Sequence, residues 1–484
     1  MKDDKISYAK PNKTLTEKPS IKKYLKYLLF FGPGAIVASL TVGQGQLIIG
    51  PQIGAWSGFA LLWLITLNIG SYIIGYIGIR FTMLSGIGVM DLFALKTYKG
   101  WLNWILIAIM LVFIPIFTAT IMTSLGQAIS WILGFGNYLF WGVSICLFAG
   151  FLALLGRYKL LEITQVLFVA VLAIGAIVAV ISINPDLFEI LPNFFTIGQN
   201  VPNNYPSWVI NNYPSVTRTP IPLLMLGYLG TLTFTLITLI GYLGWIKIKK
   251  WGIFRGRSDP VSFSEKCYKL FEKNKEITYL PDGTSEIKKS KILLKPLLVD
   301  LSLAFIIVSI ISACYIITGS LLLGSRQILP DDTRLVQNQL VIFTYLADWL
   351  KPIFQISVIF ALFGTVYSGF EAGTRMLFET SKNLIPRVKN FEYKRFMMYV
   401  LLYIVVVSIP LAIRMYVDPN FSVLFFLSIT LLFIGVIGVV IYGIGVIFLS
   451  QKYLPSKYKL SMPSLIIGII GVILLIIPFL FIFL

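Results

Sequence analysis

Thr41-Val42-Gly43-Gln44-Gly45-Gln46-Leu47 lies near the middle of a run, residues 27–79, that carries no charged side chain. One bilayer crossing takes about 20 apolar residues, so the run is long enough to cross twice. Two glycines and two amides fit poorly at mid-membrane depth. Glycine costs about 1 kcal/mol against alanine inside a helix, and a buried amide needs hydrogen-bonding partners. A membrane helix breaks at such a point only where its freed backbone groups face protein or a water-filled cavity. Helices broken at the midplane form the substrate sites of secondary transporters. The stretch therefore marks a candidate site at Gly43, Gln44, Gly45 and Gln46.

Outward from this stretch, the rest of the chain is equally apolar. Its mean hydropathy is +0.85 and 57% of its residues are hydrophobic, in long blocks, which is the composition of a polytopic membrane protein. Residues 1–24 are polar and lysine-rich, unlike a secretory signal. Cys146, Cys267 and Cys314 are isolated, and the chain has no histidine. Neither a disulfide framework, nor a thiolate metal site, nor histidine chemistry is indicated. An enzyme is the least supported class, because no nucleophile–base pair, phosphate loop or ligand set is visible. No cofactor is expected.

Charge-free gaps predict about eleven spans, near 27–54, 58–82, 101–126, 137–155, 161–183, 221–246, 298–322, 341–378, 397–415, 420–449 and 461–483. With the N-terminus inside, 35 of the 40 lysines and arginines fall on cytoplasmic segments. That bias orients the chain with its C-terminus extracellular, in the cell membrane. The formal charge of +19 is then topological, an attraction for anionic membrane lipids rather than nucleic acid.

Two loops are long. Residues 184–220 are extracellular and read either as a cap over an outer vestibule or as a linker. Residues 247–296 are cytoplasmic, mixing 13 basic with 6 acidic side chains, and Pro281-Asp282-Gly283-Thr284 predicts a turn between short strands or helices.

Polar residues recur at helical spacing in two further spans. In the sixth, Thr231, Thr235, Thr238 and Tyr242 form one stripe beside Gly227 and Gly230. Threonines in membrane helices also bond back to their own backbone, which would account for the stripe without a ligand. In the eighth, Gly364, Ser368, Glu371 and Arg375 share a face. A carboxylate within a span is a functional candidate, although Arg375 one turn on can neutralise Glu371. A structural ion pair or inner gate is favoured over proton carriage. Thr118, Thr120, Thr123, Ser124 and Gln127 give the third span a weaker polar face.

Gly32-Pro33-Gly34, followed by Gly54-Ala55, Gly58 and Leu61-Leu62-Trp63, resembles the natural-resistance-associated macrophage protein (NRAMP) family of metal transporters. The similarity continues through Arg80 and residues 86–92, and more weakly at 227–235 and 360–379. The resemblance implies an all-α, leucine-transporter-like fold with 5+5 inverted repeats and broken helices one and six. Residues 25–183 would form the first repeat and 221–450 the second. The 1–24 tail and loops 184–220 and 247–296 are appended, and 461–484 supplies the eleventh span. It also implies alternating-access transport of an ion, a metal cation first, with H⁺ or Na⁺ as a coupling ion.

This chain departs from the family at the residues that hold the metal. The family's Asp-Pro-Gly-Asn falls on Gly43-Gln44-Gly45-Gln46, and its Met-Pro-His falls roughly on Thr233-Phe234-Thr235. The expected midplane site is Gly43, Gln44, Gly45, Gln46, Gly230, Thr231, Phe234 and Thr235, with Ser368, Glu371 and Arg375 as gate or coupling residues. None of the family's metal ligands is present. Amide, hydroxyl and backbone oxygens suit a weakly held or monovalent cation or a neutral polar solute, and amide donors suit an anion such as bicarbonate. A transport-inactive sensor whose 247–296 loop binds a partner is a third reading. Oligomeric state is open.

Overall fold

The computed structural model describes residues 5–18, 20–155, 158–332, 334–418 and 420–482, and these are helical with no strand. Nine helices among them are long and apolar enough to cross a membrane, and up to eleven if two bent pairs each count as one span.

The first span runs from Pro33 to Ser57, and a short lead-in, Ile21–Phe30, meets it at 69°. Its α-helix covers Pro33–Thr41, gives way to a π-helix over Val42–Ile49, and resumes at Gly50–Ser57. The second span is Trp63–Ser85, ended by Gly86 at φ +76°, a left-handed position that glycine adopts without strain. Spans three to five are Trp101–Leu133, Tyr138–Leu155 and Tyr158–Ile183.

The sixth span consists of two helices, Ile221–Leu232 and Leu236–Ile248. The seventh is Lys295–Thr318 with a π-helical extension, Gly319–Leu323. Lys351–Ser381, Tyr393–Val417, the π-interrupted Val423–Lys452 and Met462–Ile476 complete the set. The 281–284 turn joins two helices, Pro260–Asn274 and Thr284–Leu293.

The packing repeats between halves. Span one packs against span five as span six packs against span ten, and spans two with seven and three with eight meet across the halves. Small residues allow the closest approaches. A Cβ on Gly54 would fall on the Ile316 carbonyl of span seven, and one on Gly435 would fall on the Gly230 carbonyl.

Candidate functional site

The first span departs from regular α-helix where the glycines and amides predict it, but by widening rather than unwinding. At the end of the stretch the Gly50 N–H donates to the Gly45 carbonyl, a five-residue step. The expectation of two half-helices separated by free backbone is corrected accordingly. A π turn still misaligns the ladder and is common at functional positions. The sixth span is the one that opens fully. Thr233 and Thr235 adopt extended backbone (ψ 154° and 157°) between its two helices.

The π stretch lies against spans six, seven and eight. A Cβ on Gly43 would fall on Thr365 Oγ1, and one on Gly45 would lie 2.5 Å from Thr231 Oγ1. Gln46 is fully buried. Its Oε1 accepts from Tyr228 O–H at 3.2 Å, and its Nε2 has no partner among the described residues. The Tyr315 hydroxyl on span seven is also buried and has no partner among the described residues. The Gln44 side chain lies outside the described residues.

Three expected members are placed elsewhere. Gly230 turns its open face to span ten, where a Cβ would meet the Leu431 carbonyl. Phe234 stacks on Tyr72 of span two at 5.7 Å, and its N–H donates to Ser71 Oγ at 2.9 Å. Thr235 pairs with Thr238, hydroxyl to hydroxyl, at 3.0 Å. The polar stripe of span six is divided by the break, and Thr231 and Thr238 bond back to Tyr228 O and Thr235 O. Local geometry therefore explains the stripe without a ligand. Gly43, Gly45, Gln46 and Thr231 are the expected residues that the structure brings together, with Tyr228 and Thr365 added.

The tightness at Gly43 gives a direct prediction. Gly43→Ala is expected to destabilise the fold by about 1–3 kcal/mol, the usual cost of overpacking. Adding Thr365→Ala should restore at least half of the lost thermal stability. Thermal unfolding of the two variants in detergent checks this; equal loss in both would place the strain elsewhere.

Charged residues close the face of the protein that carries most of the lysines and arginines. Arg375 Nε donates to Glu371 Oε1 at 2.9 Å, Trp245 Nε1 donates to Glu371 Oε2 at 3.0 Å, and the Arg375 guanidinium lies 4.8 Å from the Tyr393 ring centre. Next to them Glu379 pairs with Lys247 at 3.3 Å and Lys382 at 2.6 Å, and Lys382 reaches Asp91 at 3.6 Å. Ser368 is not part of this set, since its hydroxyl returns to Gly364 O of its own helix.

A further carboxylate closes the same face. Asp300, buried on span seven, accepts from the N–H groups of Gly32 (2.8 Å) and Gly34 (2.7 Å) and from Tyr242 O–H (2.5 Å). It caps the N-terminus of the first span, where an anion meets both unpaired N–H groups and the positive helix end.

On the opposite face, the segment between spans seven and eight forms a lid. Gln52 Nε2 donates to Pro330 O (3.0 Å), Gln339 Nε2 to Leu47 O (2.6 Å) and Gln127 Nε2 to Asp332 O (2.8 Å). Residues 184–220 pack over this face too. Tyr205 lies edge-on to Trp56 at 5.0 Å, and the Phe194 carbonyl accepts from Thr66 at 2.7 Å. Gln46, Tyr228, Thr231 and Thr365 are fully buried between these two faces.

Comparison with known proteins supplies the fold. No protein-family model matches the chain, and no curated protein sequence does. Among solved structures it is similar to a manganese transporter from Eremococcus coleocola, with a TM-score of 0.60 at 15% identity over 96% of this chain and 88% of that one. A second structure of that transporter, in complex with an aromatic bis-isothiourea substituted compound, gives 0.58 at 15% identity over 98% and 90%. MhsT in complex with L-phenylalanine gives 0.54 at 15% identity over 92% and 97%.

The fold is the leucine-transporter-like one.

Proposed function

We propose that this protein is a secondary transporter that moves a small ion or small polar solute by alternating access. Its site is carboxylate-free and lies where the π stretch of the first span meets Tyr228, Thr231 and Thr365. The observation that carries the reading is Gln46. A buried donor without an acceptor costs about 1–3 kcal/mol, and native proteins keep few such groups without a use for them. Here the group sits in the distorted part of the first helix of a fold whose solved examples include a manganese transporter and an amino-acid-bound protein.

The resemblance to NRAMP transporters suggests a metal cation, and the chemistry of these residues favours a different cargo. Among the described residues, no group of three or more His, Cys, Asp or Glu side chains could hold a metal ion. A bare divalent ion needs such countercharge to replace its hydration. Gln46 Nε2 is a buried donor without an acceptor among the described residues, so an anion or a carbonyl-bearing solute is the better match. H⁺ or Na⁺ remains the coupling ion of this reading, in a membrane orientation with the basic face inside.

Thermal stabilisation of the purified protein tests the assignment. A cargo at 100 times its Kd should add about 2.7 kcal/mol of stability. Bicarbonate, acetate, sodium, magnesium and manganese are compared for wild type and Gln46→Ala. Stabilisation by one solute that disappears in the variant supports the reading; no stabilisation, or the same shift in both, contradicts it. Glu371→Gln is expected to leave the apparent affinity within about threefold, because Glu371 holds Arg375 and Trp245 rather than cargo. A tenfold loss, about 1.4 kcal/mol, would place Glu371 in the site.

A further inference from the structure

An elongated groove of about 350 Å³ runs between spans two, seven and eleven, away from the midplane site. Its walls are apolar, with Ile73, Ile77, Leu301 and Phe305 among them, and Arg80 and Ser464 stand at one end. The lining residues Ile69, Leu298 and Ile467 are 40%, 53% and 49% exposed, so the groove opens sideways where hydrocarbon surrounds the protein. From Ile69 to Arg80, eleven residues of helix at 1.5 Å each span about 16 Å. That is about half of the ~30 Å hydrocarbon core, the depth of one leaflet.

The polar end has an unused positive charge. Arg80 Nη2 donates to the carbonyls of Tyr458 (2.8 Å) and Lys459 (3.3 Å), which fixes the guanidinium at the lip of the groove. Nη1 has no partner. No carboxylate forms an ion pair with Arg80 among the described residues. Lys457 and Lys459, both exposed, follow on the same loop.

From this we infer that the groove is a binding site for one anionic phospholipid of the leaflet at the basic face. An acyl chain lies along Ile73, Ile77 and Phe305, and the phosphate is held by Arg80 with Lys459 beside it. A guanidinium donates to phosphate oxygens with charge-assisted bonds that a neutral partner does not match, and basic pockets between membrane helices recognise anionic head groups in this way. The occupant would bridge spans two, seven and eleven.

The test uses the full-length protein in detergent, titrated with dioleoyl phosphatidylglycerol or dioleoyl phosphatidylcholine, with bound lipid counted by native mass spectrometry. Wild type should bind phosphatidylglycerol at least tenfold tighter. Arg80→Gln should bring the two lipids to within about twofold, and Arg80→Lys should keep most of the preference. Ile73→Trp, which fills the groove and leaves Arg80 in place, should weaken phosphatidylglycerol binding at least fivefold, and it stands as an independent test should Arg80→Gln not fold. Equal binding of both lipids by wild type, an unchanged preference in Arg80→Gln, or unchanged binding in Ile73→Trp would each overturn the assignment.

Discussion

Gln46→Leu is expected to reduce cargo uptake to background while leaving the protein folded and monodisperse. Leucine is close to glutamine in size and removes both amide atoms. The Tyr228 hydroxyl loses the Oε1 acceptor at 3.2 Å, and this loss is offset because the buried, unpartnered Nε2 is removed with it. The structural cost is therefore small, about 1 kcal/mol for one net hydrogen bond. Loss of cargo contact is not small. A site built to donate a hydrogen bond discriminates by about 10⁴-fold or more when a buried polar partner is left unpaired. Proteoliposome uptake with the variant, alongside size-exclusion chromatography, reads both effects. Normal uptake would show that Gln46 is a packing residue.

The second large effect is expected at Asp300. Asp300→Ala removes the acceptor of two backbone N–H groups and of the Tyr242 hydroxyl at the start of the first span. At about 1–3 kcal/mol for each unsatisfied buried group, the loss exceeds that of most single substitutions. Tyr242→Phe removes one of the three donors and leaves the carboxylate bonded to Gly32 and Gly34, so it should cost about 1 kcal/mol. Gly34 is part of the same device, since a Cβ there would lie 2.7 Å from the Asp300 carbonyl. The expected order of thermal stability is wild type, Tyr242→Phe, then Asp300→Ala well below. Asp300→Ala should also expose the N-terminal half of the first span, read as faster thiol labelling of Val37→Cys. A variant no less stable than Tyr242→Phe would remove Asp300 from its role as the cap.

These two residues differ in how readable they are from the sequence. Gln46 is visible because two amides and two glycines interrupt an uncharged run of membrane length. Asp300 stands only five residues from Lys295, so the charge-free gaps place it at the edge of a span. Only the fold brings it to Gly32 and Gly34. The number and order of spans follow from composition, because the bilayer imposes one length on every crossing.

The form of each break does not follow from composition. Gly43 meets Thr365 and Gly45 meets Thr231 across more than 180 residues, and such contacts decide whether a helix widens or unwinds. The same limit explains Gly230 and Phe234. A sequence motif gives their depth in the membrane, but not which neighbour each one faces. For Ser368 and the threonines of span six, helical spacing gives a shared face but not the partner, and the hydroxyls bond back within their own segments.

The central claim is that Gln46 holds a cargo without help from a carboxylate, and uptake into proteoliposomes tests it most directly. Manganese, magnesium, sodium, bicarbonate and acetate are supplied one at a time to wild type and to Gln46→Ala. The account predicts saturable uptake of an anion or small carboxylate by wild type, reduced at least tenfold in the variant, and no manganese uptake. Manganese uptake, uptake that does not depend on Gln46, or no uptake across the panel would contradict it.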